Sequence, residues 1–108
     1  MPDAALPDGP VPLASLVAFQ AGSVVSRTLV KKEKGTVTLF AFDAGQGLSE
    51  HTAPFDALVH VLDGRASVVL AGKAHALGAG EAILLPAGVP HALMAVERFR
   101  MLLTMIRA

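Results

Sequence analysis

Two of the four histidines in this chain, His51 and His91, follow segments in which glycine and proline constrain the backbone. His91 ends the run PAGVPH, in which two prolines fix φ and stiffen the loop before the histidine. A neutral imidazole is a good ligand for Zn²⁺, Ni²⁺, Cu²⁺ and Fe²⁺. Two imidazoles brought together by rigid strands could therefore bind a divalent transition metal or contact a small ligand.

A metal centre normally has more than two protein ligands. Catalytic zinc usually has three, and non-haem iron usually has two histidines and a carboxylate. Glu50 is adjacent to His51, and neighbouring residues of a strand point to opposite faces, which argues against Glu50. Gln46 offers only an amide oxygen, Met101 is expected to fill core space, and His75 is expected at a surface or rim. The identity of a third ligand stays open.

The composition is that of one small domain. A chain of 108 residues has room for one core, and the absence of cysteine excludes disulfides and thiolate metal sites. Nine basic residues balance nine acidic ones, and a short lysine run at residues 31–34 suits a solvated hairpin tip, so nucleic acid is not an expected partner. No apolar run approaches the ~18 residues of a membrane span, and the first residues lack the basic start of a signal peptide. We expect a cytoplasmic protein that does not bind membranes.

Turn signals divide the chain into an arm and a β domain. Residues 1–22 are predicted to form an irregular, proline-rich arm with a short helical turn in residues 13–20. Residues 23–108 contain about eight short apolar or β-branched runs separated by glycine-containing turns. Short strands roughly 8–12 residues apart, with hardly any helix, favour an all-β sandwich or barrel.

The strands are apolar on both faces, which predicts a second copy of the chain. In residues 57–62, one face carries Ala57, Val59 and Val61, and the other carries Leu58, His60 and Leu62. Residues 99–106 are also largely apolar on both faces, and only 17% of all residues are charged, against ~25% in typical soluble domains. We expect a homodimer that covers an outward face, with His60 in a structural or interface position.

The glycines, prolines and histidines of two segments resemble the two sequence motifs of the cupin family. The segments are GQGLSEHTAPFDALVHVLDG at residues 45–64 and GEAILLPAGVPHALMA at residues 80–95. The resemblance implies an RmlC-like jelly roll, or double-stranded β-helix, with His51 and His91 in one barrel cavity. It also implies a metal held by two histidines and a glutamate from the first motif and by one histidine from the second. Here Ala53 and Ala57 replace the second histidine and the glutamate, and Ala95 replaces the usual asparagine.

Asp56 does not replace the missing glutamate. It precedes Ala57 by one residue, so its side chain should point the other way along the strand, towards a backbone amide or a partner-chain group. The resemblance instead implies a mostly apolar pocket, which three alanines enlarge enough to hold an organic molecule. The predicted pocket residues are Phe40, Gln46, Ala53, Ala57, Val59, Val61, Leu93, Ala95 and Met101, together with His51 and His91 as metal ligands.

The function predicted on this basis is binding of a small molecule, of a weakly held divalent transition metal (Zn, Ni, Fe or Cu), or of both. One alternative is an active metal-dependent enzyme of the oxygenase or isomerase type, which would use a two-histidine centre. A second alternative is a structural dimer module in which the histidines have no ligand. The sequence leaves the ligand, the metal and the presence of catalysis open.

Overall fold

The structure, a computed structural model that describes residues 6–107, confirms the all-β jelly roll. A 3₁₀ turn at Leu13–Leu16 precedes nine strands. The strands are β1 Val24–Lys32, β2 Gly35–Phe42, β3 Gly47–His51, β4 Asp56–Asp63, β5 Arg65–Leu70, β6 Lys73–Gly78, β7 Ala82–Leu85, β8 His91–Ala95 and β9 Phe99–Ile106. Residues 1–5 of the predicted arm and residue 108 lie outside the described residues. Within residues 6–107, no helix is long and apolar enough to cross a membrane.

Two antiparallel sheets face each other. One has five strands in the order β1-β2-β9-β4-β7, and the other has four strands in the order β3-β8-β5-β6. The main core lies between them, because alternate residues of each strand point to the same side. At its centre the rings of Phe42 and Phe99 are fully buried and stack with centroids 4.5 Å apart.

Glycines are required at two different kinds of position. Gly64 joins β4 to β5 with φ of 79°, and a Cβ there would collide with the carbonyl oxygen of Arg98. Gly35 begins β2 and has no positive φ. A Cβ on Gly35 would come within 2.7 Å of the carbonyl oxygen of Met105 on β9, so its role is to permit close approach of the two strands.

The arm covers part of the outer face of the five-stranded sheet. Val17 is 5% exposed, and beneath the arm Leu39 and Ala41 on β2 are fully buried. Leu13, Leu16 and Phe19 are partly buried against this second apolar cluster. The outward apolar residues of β2 are therefore covered by the chain's own N-terminal segment.

Charged side chains hold the arm on the sheet. The Arg100 guanidinium donates to the Val17 carbonyl at 3.0 Å, pairs with Asp63 at 2.7 Å and lies over the Phe19 ring. Asp43 accepts from Arg98 at 2.8 Å and from the Gly22 amide at 2.7 Å. The Arg98 hydrogen bond, assisted by that amide, lowers the pKa of Asp43 from 3.8 to about 2.

Candidate functional site

The two histidines come from neighbouring strands of the four-stranded sheet. His51 ends β3 and His91 begins β8, and the two residues are direct cross-strand partners. Leu48 pairs with Leu93 on the same strands, so three residue steps on β3 correspond to two on β8. This bulge changes the alternation on β3 and puts His51, instead of Glu50, on the inward face with Leu48. Glu50 is exposed.

The loop before His91 is fastened to the segment after His51. The Ala87 amide donates to Asp56 Oδ1 at 2.9 Å, and the Gly88 amide donates to the Ala53 carbonyl at 2.8 Å. The prediction that Asp56 pairs with a backbone amide is therefore confirmed. These two hydrogen bonds and the two prolines of the loop fix where β8 begins, and with it the position of His91.

The two imidazole rings are in direct contact. Their Nε2 atoms are 3.2 Å apart, and the ring planes meet at 71° with centroids 4.4 Å apart. Each Nδ1 contacts a carbonyl oxygen two residues earlier in the chain: His51 contacts Ser49 at 2.7 Å and His91 contacts Val89 at 3.0 Å. His91 is 5% exposed, whereas His51 is open to solvent.

These contacts determine which nitrogen is free on each ring. A carbonyl oxygen can only accept a hydrogen bond, so both Nδ1 atoms carry the proton. In neutral rings both Nε2 atoms are then bare acceptors, and they lie 3.2 Å apart. Two acceptors at that distance repel each other unless a proton or a cation lies between them. Hydrogen bonding of Nδ1 to a carbonyl is also the usual support of a histidine that binds a metal through Nε2.

The separation of the two nitrogens suits a shared metal ion. Zinc–nitrogen bonds are about 2.0–2.1 Å long, so two nitrogens on one tetrahedral ion lie roughly 3.3 Å apart. The observed 3.2 Å is close to this value. The two imidazoles therefore fit an ion that has two protein ligands and further positions open to water or another molecule.

The four-ligand centre that the motifs imply does not fit. Within residues 6–107, no group of three or more histidine, cysteine, aspartate or glutamate side chains could hold a metal. Ala53 and Ala57, at the positions of the missing ligands, line the same cavity as the histidines. His75, a candidate third ligand, is half-buried on β6 beside Val68, two strands away from His91 and off the cavity wall.

The cavity beside the histidines is small and otherwise apolar, with a volume of about 50 Å³. Its lining residues are Leu48, His51, Ala53, Ala57, Leu85, His91, Leu93, Met101, Leu103 and Met105. One water needs on the order of 10–15 Å³ of such space, whereas pockets for small organic molecules measure about 300–1,000 Å³. The predicted hole for an organic molecule is therefore absent at this position, because leucine and methionine side chains close around the alanines.

Of the nine predicted pocket residues, Ala53, Ala57, Leu93 and Met101 line this cavity and the other five do not. Val59, Val61 and Ala95 also face inward, but they are packed in the core. Val59 and Val61 lie two and four residues beyond Ala57 on β4, and Ala95 lies two residues beyond Leu93 on β8. Each residue adds about 3.3 Å along a strand. Phe40, on β2, packs on that core from one side. Gln46 bonds to Ala95, at the opposite end of β8 from His91.

Four lining residues were not predicted. Leu103 and Met105 share a face of β9 with Met101, so alternation along residues 99–106 could have identified them. Leu48 belongs to β3, whose sequence GLSEH is too polar to be recognised as a strand. Leu85 directly precedes Pro86 in the second motif.

His60 lies on the outward face of the five-stranded sheet, away from this cavity, as predicted. It is half-buried, and its cross-strand partners are Leu102 on β9 and Ala82 on β7. His60 thus belongs to a surface that does not contribute to the site.

The chain is similar to known proteins in both sequence and structure. The family described as "Cupin domain" matches residues 38–106. A conserved protein of unknown function from Streptococcus pyogenes is 34% identical with a TM-score of 0.92, and the alignment covers 100% of this chain and 96% of that one. A cupin superfamily protein from Desulfitobacterium hafniense is 28% identical with a TM-score of 0.91, over 96% and 95% of the two chains.

A third solved structure, a "Cupin 2 conserved barrel domain protein" from Leptotrichia buccalis, is 41% identical with a TM-score of 0.83. The alignment covers 87% of this chain and 46% of that one, so this chain corresponds to about half of the Leptotrichia protein. No functionally curated protein matches the chain.

Proposed function

The chain belongs to the cupin family, and from that premise we propose that it binds a late transition metal ion between His51 and His91. The remaining coordination positions are left to water or to a small exogenous ligand. The supporting observation is the arrangement of the two rings, since both Nδ1 atoms donate to carbonyls and the two Nε2 atoms lie 3.2 Å apart. A cation between the rings removes the repulsion of the two lone pairs.

The donor set favours copper, nickel or zinc. Imidazole suits these ions, whereas non-haem Fe²⁺ centres use a carboxylate with two histidines, and Mg²⁺ and Mn²⁺ prefer oxygen ligands. The cavity wall contains no carboxylate, and it does contain the thioethers of Met101 and Met105, which are soft donors. Of the four metals predicted from the sequence, iron is therefore the least suited.

When bound, such an ion would polarise a carbonyl or lower the pKa of a bound water. The protein's own residues control access to it. Leu48, Leu93 and Leu103 keep one side of the rings apolar, and the exposed ring of His51 leaves the other side open to solvent. A small molecule would therefore approach past His51, because the cavity itself is too small to enclose one.

An oxygenase or isomerase activity has weaker support than binding. The two histidines are the only ionisable side chains among the residues that line the cavity, and both would be occupied as ligands. No further acid or base stands on the wall to move a proton. Binding without catalysis is the function that the geometry supports best, and a cytoplasmic location stays a prediction.

The chain contains its own matched controls, because its other two histidines lie away from the site. Copper, nickel and zinc are titrated into chelator-treated protein by calorimetry, using wild type, His51→Gln, His91→Gln, His60→Gln and His75→Gln. The first two substitutions should weaken binding by at least about 10-fold, since even the removal of a supporting group costs roughly that much. His60→Gln and His75→Gln should leave the affinity unchanged. In the Cu²⁺-loaded protein, electron paramagnetic resonance should detect two coordinated nitrogens.

Equal affinity in all four variants would refute the proposal, and so would a wild type that binds none of the three ions. In the second case a purely structural module, with a proton shared between the two rings, becomes the better description. A metal whose spectrum shows one nitrogen or none would place the ion elsewhere on the surface.

A further inference from the structure

We propose that the sulfur of Met105 is a third ligand at the histidine site, and that the ion this site selects is the monovalent cuprous ion, Cu⁺. This assignment rests on the proposed function, because it fills one of the coordination positions that the two imidazoles leave open. It distinguishes Cu⁺ from the divalent ions, which the imidazoles alone do not.

Met105 faces the same cavity as the two rings. It lies on β9 of the five-stranded sheet, whereas His51 and His91 lie on the four-stranded sheet, and all three residues line one void of about 50 Å³. Such a void has room for only a few atoms, since one water needs on the order of 10–15 Å³. Methionine is unbranched and flexible, so its side chain can place the sulfur beside an ion held by the two rings.

The neighbours of Met105 leave its side chain access to this void. Its cross-strand partner on β4 is Ala57, whose methyl group fills little of the space in front of it. Directly opposed residues have Cβ atoms about 4.5–5.5 Å apart, so a larger side chain at position 57 would compete for the same space. Leu85 comes next in this row, and it ends the strand that leads through the loop to His91. Met105 therefore lies at the end of the barrel from which His91 enters.

Met101 also lines the void, but its surroundings are different. It precedes Met105 by four residues on β9, which is about 13 Å along the strand. Its cross-strand partners are Val61, which is fully buried, and Phe40. Met101 is itself fully buried, whereas Met105 is half-buried. Met101 is thus held by core packing, and Met105 is the methionine whose side chain is free to move to an ion.

A thioether changes which ion the site prefers. Soft sulfur ligands select Cu⁺, whereas imidazole alone suits zinc, nickel and copper in general. The chain contains no cysteine, so methionine is its only source of a soft sulfur ligand. Two imidazoles and one thioether therefore form a ligand set that favours Cu⁺ over Zn²⁺ and Ni²⁺.

The charge of the ligands gives an independent reason for a monovalent ion. Imidazole and thioether are both neutral, and none of the described residues that line the void carries a carboxylate. An ion at this site keeps its full charge beside an apolar wall that includes Leu48, Leu93 and Leu103. The cost of removing an ion from water rises with the square of its charge, so it is about four times larger for a divalent ion than for a monovalent ion of equal size.

The test separates sulfur ligation from histidine ligation. Cu⁺, kept reduced by ascorbate under nitrogen, is divided between the chelator bathocuproine disulfonate and wild type, Met105→Leu, Met101→Leu or Met94→Leu. Leucine removes the sulfur and nearly conserves the volume, an exchange that protein cores tolerate. Met105→Leu should weaken Cu⁺ binding at least about 10-fold, since even the loss of a supporting group costs roughly that much.

The controls show whether that loss is specific. Met105→Leu should leave the Zn²⁺ affinity unchanged, because Zn²⁺ gains little from a thioether. Met101→Leu should keep the wild-type Cu⁺ affinity, and so should Met94→Leu, whose side chain is 56% exposed on β8 and does not line the void. X-ray absorption at the copper edge of the Cu⁺-loaded wild type needs no substitution and should detect one sulfur neighbour besides two nitrogens. The sulfur should be missing in Met105→Leu.

Two nitrogens without a sulfur would overturn the assignment of Met105 and leave the proposed function intact. The same holds for a Cu⁺ affinity that Met105→Leu does not change or that Met101→Leu lowers instead, and for a wild type that binds Zn²⁺ but not Cu⁺. If His51→Gln and His91→Gln also leave Cu⁺ and Zn²⁺ binding unchanged, the proposed function fails together with the third ligand.

Discussion

The two faces of the five-stranded sheet have similar sequences and different environments. On the inner face, Phe42, Phe99 and Met101 are fully buried by the opposing sheet. On the outer face, Leu39 is buried just as completely, but by an arm that hydrogen bonds with Arg100 and Asp43 hold in place. Apolar alternation thus indicates that a surface is covered without indicating what covers it. The inner cover is the second half of the barrel, whereas the outer cover depends on a few polar contacts.

The largest effect should come from the inner face. Phe42→Ala removes a fully buried ring that stacks on Phe99, and we expect a loss of about 3–5 kcal/mol in the free energy of unfolding. Urea denaturation measures it. Phe55→Ala is the matched control, since the Phe55 ring is half-buried beside Arg107 at the surface and should cost much less. Equal losses in the two variants would mean that the stacked pair is not the centre of the core.

The second prediction tests whether the arm stays packed on β2 and shields Leu39 from solvent. Leu39→Ala should cost about 2–4 kcal/mol if the arm stays packed on β2, because a cavity then remains beneath it. If the arm leaves the sheet readily, Leu39 is partly solvated already and the loss should stay below about 1 kcal/mol. Val30→Ala, on the open part of the same face, is the control and should have a small effect in the monomer. Urea denaturation below the dissociation constant of any dimer separates these cases.

The smallest effect concerns the polar contacts of the arm and depends on pH. Asp43 has a pKa of about 2 in the folded protein, held down mainly by its hydrogen bond with Arg98, against about 3.9 for an unfolded aspartate. Because the folded pKa is the lower one, this contribution to stability is complete above about pH 4 and disappears as the pH falls towards 2. Asp43→Asn should therefore lower the melting temperature at pH 7 and have no effect near pH 2.

Thermal melts of wild type and Asp43→Asn between pH 2 and 7 measure that difference. Added salt should reduce it at neutral pH, because Arg98 is exposed and its attraction for the carboxylate is screened. A difference that stays constant over the whole range would show that the charge of Asp43 does not contribute and that the substitution acts by another route.

Much of the fold could be predicted from local chemistry. Glycines at 64, 72, 80 and 88 have positive φ, and each ends a predicted strand or loop. Eight of the nine strands were recognisable as apolar or β-branched runs. The ninth, β3, was missed because GLSEH is polar and four of its five residues are exposed. An edge strand of this kind is held by its backbone partner on β8, and that partner is forty residues away in the chain.

The candidate site was predictable in its two main residues but not in its geometry. The resemblance to the two cupin motifs implied that His51 and His91 share one cavity. The bulge between Leu48 and His51 could not be read from the sequence, although it decides that His51 and not Glu50 faces inward. The cavity volume could not be predicted from the residue types, because the space beside Ala53 and Ala57 is filled by side chains from β3, β7 and β9.

The sequence by itself determined the family, the order of turns and strands, the two histidines and the absence of the other metal ligands. These properties follow from residue types at fixed spacing, which act through local backbone preferences and strand alternation. The tertiary structure decided the 3.2 Å approach of the two Nε2 atoms, the small cavity and the division of the outer sheet face into a covered and an open half. Each of these depends on register and packing between segments that are distant in the chain, and residue types alone do not specify such distances.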